Sequence, residues 1–317
     1  MPPLFQQWQT VKSEVDGNGK VMTSRARTMR IVEAFVDCND VLEDQARLRS
    51  RAAENGYLYF PGLLPTEDVL PVRRGVLQVA GRHGLLRAGI DMDEGIRKEG
   101  VYIDLEYDKP TPPELKRFYN DVLSLHSFNA FPHHATVMGL LESLLAEPTF
   151  VHPRHICHIL FPGRFDHTTE PHQDFHPVRG TRDTWTVWIP LGNIDSDLGG
   201  VAIARGSNQL GYLANELVTS GQLLDDETVW HWNPFSCGDV LMFHSLTIHQ
   251  GRDNVTADTI RLSTSARYQA ISEPVDAAAL TPHWGWADWE ELYADWDRDD
   301  PLKYYWRSLD LNIRTYR

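Results

Sequence analysis

The segment Pro171-His172-Gln173-Asp174 places an imidazole and a carboxylate two residues apart. On an extended chain, side chains i and i+2 leave on the same face, so this pair could share one metal ion. A third donor is offered downstream by His249, in the stretch GDVLMFHSLTIHQG. Two histidines and one carboxylate on one face of a metal leave the other positions open, which is the donor set of non-heme Fe(II) oxygenases. Twelve residues beyond His249, Arg261 opens the β-like run RLSTSARYQ. A guanidinium beside a metal can grip a carboxylate through two parallel hydrogen bonds. A cosubstrate with a keto-acid end on the iron and a second carboxylate on that arginine would be 2-oxoglutarate.

Two competitors stand close by in sequence. His244 lies five residues before His249, and Arg267 lies six after Arg261. An even separation puts both arginines on the same nominal face of a strand, so parity does not decide between them. His155 and His158 precede the motif and would face opposite sides of a strand, so at most one looks inward. Thr186 and Trp188 share a face of TVWIPL. His158, or else His155, is expected to line the cosubstrate pocket beside Arg261 together with Thr186 and Trp188, Trp188 being equally suited to the core.

These residues need a scaffold. The chain has 317 residues, 42% of them apolar and 23% charged, which is enough to build a core without disulfide staples. The formal charge of −14 argues against a nucleic-acid partner and against an anionic membrane surface. No apolar run is long enough to span a bilayer. Three cysteines without a CxxC pair, and an N-terminus without an apolar signal segment, lead to the expectation of a cytoplasmic protein. A helix is expected within 40–55, a short strand at Tyr57-Leu58-Tyr59-Phe60, a second helix opening at Thr66, and two more over about 113–129 and 134–146. After Pro153 the period changes to short strands: 155–161, 184–191, 200–204, 239–249 and 261–270. That spacing suggests a mainly β fold, a sandwich, barrel or jelly roll, with supporting helices. One domain is expected: a leader over 1–40, helical support over 41–150, a β core over 151–272 with an insertion at 209–238, and a Trp-rich arm over 273–317. The segment 85–130 and the insertion are the expected lid and substrate walls.

Over roughly residues 50–270 the sequence resembles the phytanoyl-CoA dioxygenase (PhyH-like) family of Fe(II)/2-oxoglutarate oxygenases. The resemblance rests on ENGYLYFPGLLPTEDVLPVR, HILFPG, PHQD, TVWIPLGNIDSDLGGVAIARGSNQLG and GDVLMFHSLTIHQGRDNVTADTIRLSTSARYQ, in that order. It implies a double-stranded β-helix, the cupin-like jelly roll. It implies that His172, Asp174 and His249 bind iron and that Arg261 binds 2-oxoglutarate, the family register preferring His249 to His244 and Arg261 to Arg267. It also implies dioxygen as the oxidant and hydroxylation of a small molecule, with release of succinate and carbon dioxide. Departures are Arg205-Gly206-Ser207-Asn208 in place of a GSH segment, and Gly251 where a small polar residue is usual. A monomer or homodimer is expected. The reading from another class is a metal-binding jelly-roll sensor or scaffold without catalysis.

Overall fold

The computed structural model describes residues 29–101, 111–219, 224 and 226–316, together with the backbone of two short paired strands, β1 (Ser13–Val15) and β2 (Val21–Thr23). Part of the expected lid, 102–110, lies outside the described residues, as do 220–223 and 225 within the expected insertion.

The chain then runs β3 (Ile31–Glu33), α1 (Gln45–Asn55), β4 (Tyr57–Phe60), α2 (Thr66–Arg82), α3 (Pro113–Leu123), α4 (His126–Ala130), α5 (Ala135–Leu145), β5 (Thr149–Val151) and β6 (Ile156–Leu160). It continues with α6 (Phe175–Val178), β7 (Trp185–Pro190), β8 (Gly200–Ala204), α7 (Asn215–Thr219), β9 (Val229–His231), β10 (Val240–His244), β11 (His249–Arg252) and β12 (Arg261–Ala270). The C-terminal arm carries β13 (Val275–Asp276), α8 (Trp289–Leu292) and β14 (Ile313–Arg314).

Two sheets face each other. The larger has the order β4-β10-β7-β12-β5, with β6 also pairing β12; the smaller has the order β11-β8-β9-β3. Alternation along each strand of the larger sheet sorts its side chains into two layers. Leu58, Phe60, Val187, Ile189, Val240, Met242, Leu262 and Ala266 pack outward against the helices. Tyr57, Tyr59, Trp188, Leu241 and Phe243 point inward to meet Val201 and Ile203 of the smaller sheet. Strand β12 is buried along its whole length, between β7 on one side and β5 and β6 on the other. Its inward residues are therefore committed to the space between the sheets.

The sequence boundaries differ from the structure in several places. The run 239–249 is two strands: the chain turns at Ser245–Ile248 and crosses from the larger sheet to the smaller, with Ser245 N–H donating to Thr184 O (2.8 Å) and Thr247 N–H to His244 O (2.8 Å). The stretch 209–238 is not merely inserted, because Val229–His231 supplies β9 to the smaller sheet. Likewise Ile31–Glu33, inside the expected leader, runs parallel to β9. The helix expected over 113–129 breaks at Ser124-Leu125, where the buried Asn129 amide donates to Leu123 O (2.7 Å) and Leu125 O (2.9 Å). In the arm, Trp296 Nε1 donates to Ser124 O (2.7 Å), and Tyr305 Oη donates to Val151 O (2.6 Å) on β5.

Candidate metal and cosubstrate site

His172 and His249 form an isolated antiparallel bridge, each N–H donating to the other's carbonyl at 3.0 and 3.1 Å. The main chain thus sets the two imidazoles side by side, with ring centroids 4.1 Å apart. Each Nδ1 faces a carbonyl two residues earlier, Glu170 O at 2.8 Å for His172 and Thr247 O at 3.0 Å for His249. An Nδ1–H donating there leaves the Nε2 lone pair free for a metal. Burial, and then His172, pushes His249 down to about 3, so its ring is neutral.

Asp174 completes the group, but not from an extended chain. Its backbone is helical (φ −63°, ψ −24°) at the start of α6. The carboxylate still converges on the imidazoles, with Oδ1 3.6 Å from His172 Nε2 and 3.9 Å from His249 Nε2. The intervening Gln173 explains the fixed turn. Its buried amide donates to Leu246 O (2.7 Å) and Gly211 O (2.9 Å), and it accepts from Leu213 N–H (2.9 Å). The donor atoms of His172, Asp174 and His249 all lie within 4.8 Å of one another, a spacing one ion can bridge. Two imidazole nitrogens and one carboxylate oxygen suit a ferrous ion.

The competitors separate cleanly. His244 lies on the outward side of β10, against Trp185 and 3.3 Å from Asp183 Oδ1. Arg267 donates from Nη2 to both oxygens of Asp174, at 3.0 and 3.1 Å, and Thr186 Oγ1 donates to Oδ2. Burial alone would raise the Asp174 pKa; Arg267 holds it well below the usual carboxylate range. Thr186, expected in the cosubstrate pocket, is therefore engaged by the metal-side carboxylate.

Among the described residues, Arg261 is a buried cation hydrogen-bonded only to carbonyls, Gly200 O at 2.9 Å and Arg252 O at 3.3 Å, and its Nε has no partner. Burial pushes its pKa down to about 10, with Asp253 opposing, so it stays charged at neutral pH. Two residues on, the hydroxyl of Ser263 is buried and also unpartnered. Sequence reasoning missed Ser263, although its parity with Arg261 was a usable signal. His158 lies opposite Ser263 on β6 and bonds Ser265 Oγ (2.9 Å), with the ring neutral: burial, then Arg261 and Arg267, lowers it to about 3. His155 faces the helices beside Phe128 and His133. Trp188 is packed in the inter-sheet core against Phe235, 4.7 Å between centroids. Gly251 has a local cause, since a Cβ there would lie 3.0 Å from Thr169 N and 3.2 Å from Thr168 Cγ2.

With this geometry in view, comparison with known proteins decides the family. The sequence profile of phytanoyl-CoA dioxygenase (PhyH) matches residues 52–263. The chain belongs to the phytanoyl-CoA dioxygenase family. It is an enzyme, a 2-oxoglutarate-dependent non-heme iron oxygenase acting on small molecules. A 1-deoxypentalenic acid 11-beta-hydroxylase of Streptomyces exfoliatus is 27% identical, over 78% of this chain and 89% of that relative. The namesake enzyme of Streptomyces arenae is 26% identical, with the same coverage. Among solved structures, the non-heme alpha-ketoglutarate-dependent epimerase SnoN of nogalamycin biosynthesis superposes with a TM-score of 0.52 at 20% identity, over 73% of this chain and 84% of its own. That likeness concerns the fold, a jelly roll. Among the described residues no helix is long and apolar enough to cross a membrane.

Proposed function

We propose that His172, Asp174 and His249 hold one ferrous ion, that Arg261 and Ser263 hold the distal carboxylate of 2-oxoglutarate, and that the enzyme hydroxylates an unactivated C–H of a natural-product-type molecule. The observation that carries this reading is a three-donor group on the same side of the inter-sheet space as a buried arginine with no carboxylate partner among the described residues. Bound iron and 2-oxoglutarate supply the oxidation: one atom of dioxygen goes to succinate as carbon dioxide leaves, and the other goes to the substrate.

The chain's own residues position and protect. The two Nδ1–H groups fix the imidazole orientation. Arg267 and Thr186 hold Asp174 ionised, so it offers a charged oxygen without rearrangement. A buried guanidinium with an unpartnered Nε and a buried hydroxyl without a partner await an anion, and satisfying them on binding favours a dicarboxylate over a monoacid. Burial of this wall between the sheets keeps water away. The hydroxylase names of the Streptomyces relatives support hydroxylation as the outcome. Cys38, Cys157 and Cys237, all free thiols, support a reducing, cytoplasmic setting.

The test is direct. Anaerobic protein with Fe(II) and 2-oxoglutarate should develop the weak visible charge-transfer band of the chelate. Arg261→Ala should weaken 2-oxoglutarate binding by tenfold or more while sparing metal binding. Asp174→Ala should abolish succinate formation. Unchanged 2-oxoglutarate affinity in the first variant would refute the anchor, and sustained succinate formation in the second would refute the ligand set.

A further inference from the structure

Thr186 on β7 and Arg267 on β12 are direct cross-strand partners, and both are buried. They converge on one carboxylate. Arg267 Nη2 donates to Asp174 Oδ1 at 3.0 Å and to Oδ2 at 3.1 Å, whereas Thr186 Oγ1 donates to Oδ2 alone. The guanidinium nitrogen therefore sits almost evenly between the two oxygens and does not tell them apart. The hydroxyl does. Oδ1 is the oxygen nearer the imidazoles, 3.6 Å from His172 Nε2 and 3.9 Å from His249 Nε2, and Oδ2 is the one that Thr186 engages.

Both strands hold this arrangement firmly. Thr186 lies in a strand buried along its whole length, and its β-branched side chain has restricted χ1 freedom. Arg267 has a second tie, Nη1 to Ser265 Oγ (3.4 Å), and Ser265 Oγ in turn meets His158 Nε2 (2.9 Å). A carboxylate without such partners has no preference of its own. Its last torsion is broad and twofold, so one oxygen, the other or both can turn to a metal.

Coordination arithmetic gives the difference a consequence. An octahedral ion that takes one atom from each of His172, Asp174 and His249, and two from a keto acid, has a single position left. A second oxygen from Asp174 would fill it. We infer that Thr186 is a positioning residue: it makes Asp174 a one-oxygen ligand and so keeps the last position of the metal centre open to dioxygen. That task replaces the cosubstrate contact expected from the sequence. The inference rests on the oxygenase reading above and deepens it.

The test compares Thr186→Val, which keeps the shape and removes the hydroxyl, with Thr186→Ser, which keeps the hydroxyl. Each variant is loaded anaerobically with Fe(II) and 2-oxoglutarate and titrated with nitric oxide, a dioxygen surrogate followed by its EPR signal. Fe(II) affinity is measured separately by competition with a chelator. Thr186→Val should bind nitric oxide about tenfold or more weakly than the unaltered enzyme. Its Fe(II) affinity should be unchanged or higher, because a second carboxylate oxygen only adds to the hold on the ion. Thr186→Ser should restore most of the nitric oxide binding. A merely structural role would instead loosen the site and lower Fe(II) affinity. Undiminished nitric oxide binding in Thr186→Val, a fall in its Fe(II) affinity, or a serine variant no better than the valine one would each overturn the inference. Where the valine variant does not fold, Thr186→Ala carries the same expectations. If the chelate band never forms in the unaltered enzyme, the oxygenase reading falls. A normal band with undiminished nitric oxide binding in the variants overturns the positioning role alone.

Discussion

At the scale of single residues, the decisive pair is Asp174 and Arg267. A carboxylate this deeply buried needs a cation when iron is absent, and Arg267 supplies it through two hydrogen bonds. Removing one member of a buried pair costs about 3–5 kcal/mol, because the other is left charged and unpaired. Arg267→Leu should therefore lower the stability of the metal-free protein by that amount in urea titrations. Adding Asp174→Asn should recover part of the loss, since the stranded charge is then gone. Little of this was legible in the sequence. Residue types and order located His172, Asp174, His249 and Arg261. Parity left Arg261 and Arg267 equivalent, because their roles depend on which strand lies across from each. Arg267 sits opposite Thr186 and Arg261 opposite Leu160, pairings made by residues more than fifty positions away.

Among elements, the turn before β10 shows what fixes a strand in place. Gly238 has φ +98°, and a Cβ there would fall 2.3 Å from Leu64 O. Asp239 then accepts from Gly62 N–H (2.9 Å), Ser236 N–H (2.8 Å) and Tyr59 Oη (2.7 Å), binding β4 to β10. Gly238→Ala should cost about 3 kcal/mol from combined strain and collision. Gly62→Ala, also at positive φ but facing open space, should cost about 1 kcal/mol. Thermal unfolding of the two variants side by side checks the difference. The strands best read from sequence were β8 and β12, whose runs are bounded by turns and buried throughout. Among those missed, β3, β5 and β9 are three residues long. No local pattern specifies so short a strand, and only the neighbour across the sheet makes it one. The break between β10 and β11 was hidden for the opposite reason: the apolar run continues while the chain changes sheets.

For the molecule as a whole, burial of histidines sets an acid limit. Burial pushes His152 and His133 down to about 4, and His155 lies well below its ordinary value. In the unfolded chain each takes a proton near pH 6.5, whereas in the folded protein His152 and His133 resist until about pH 4 and burial makes His155 resist as well. The unfolded state thus binds more protons in that window, so stability is complete above about pH 6.5 and is lost as pH falls through it. At pH 5, His152 alone should account for about 2 kcal/mol. Melts of chelator-treated protein between pH 7.5 and 5 should show the decline, and His152→Gln should flatten it. Iron loading has a gentler relation to the fold. The rung between His172 and His249 is made of peptide groups, and Arg267 neutralises Asp174 before any ion arrives. With the ligand set proposed above, demetallation should therefore release neither strand, and the vacated enzyme should keep its shape like an empty socket, ready to be refilled by a ferrous salt without passing through a denatured chain.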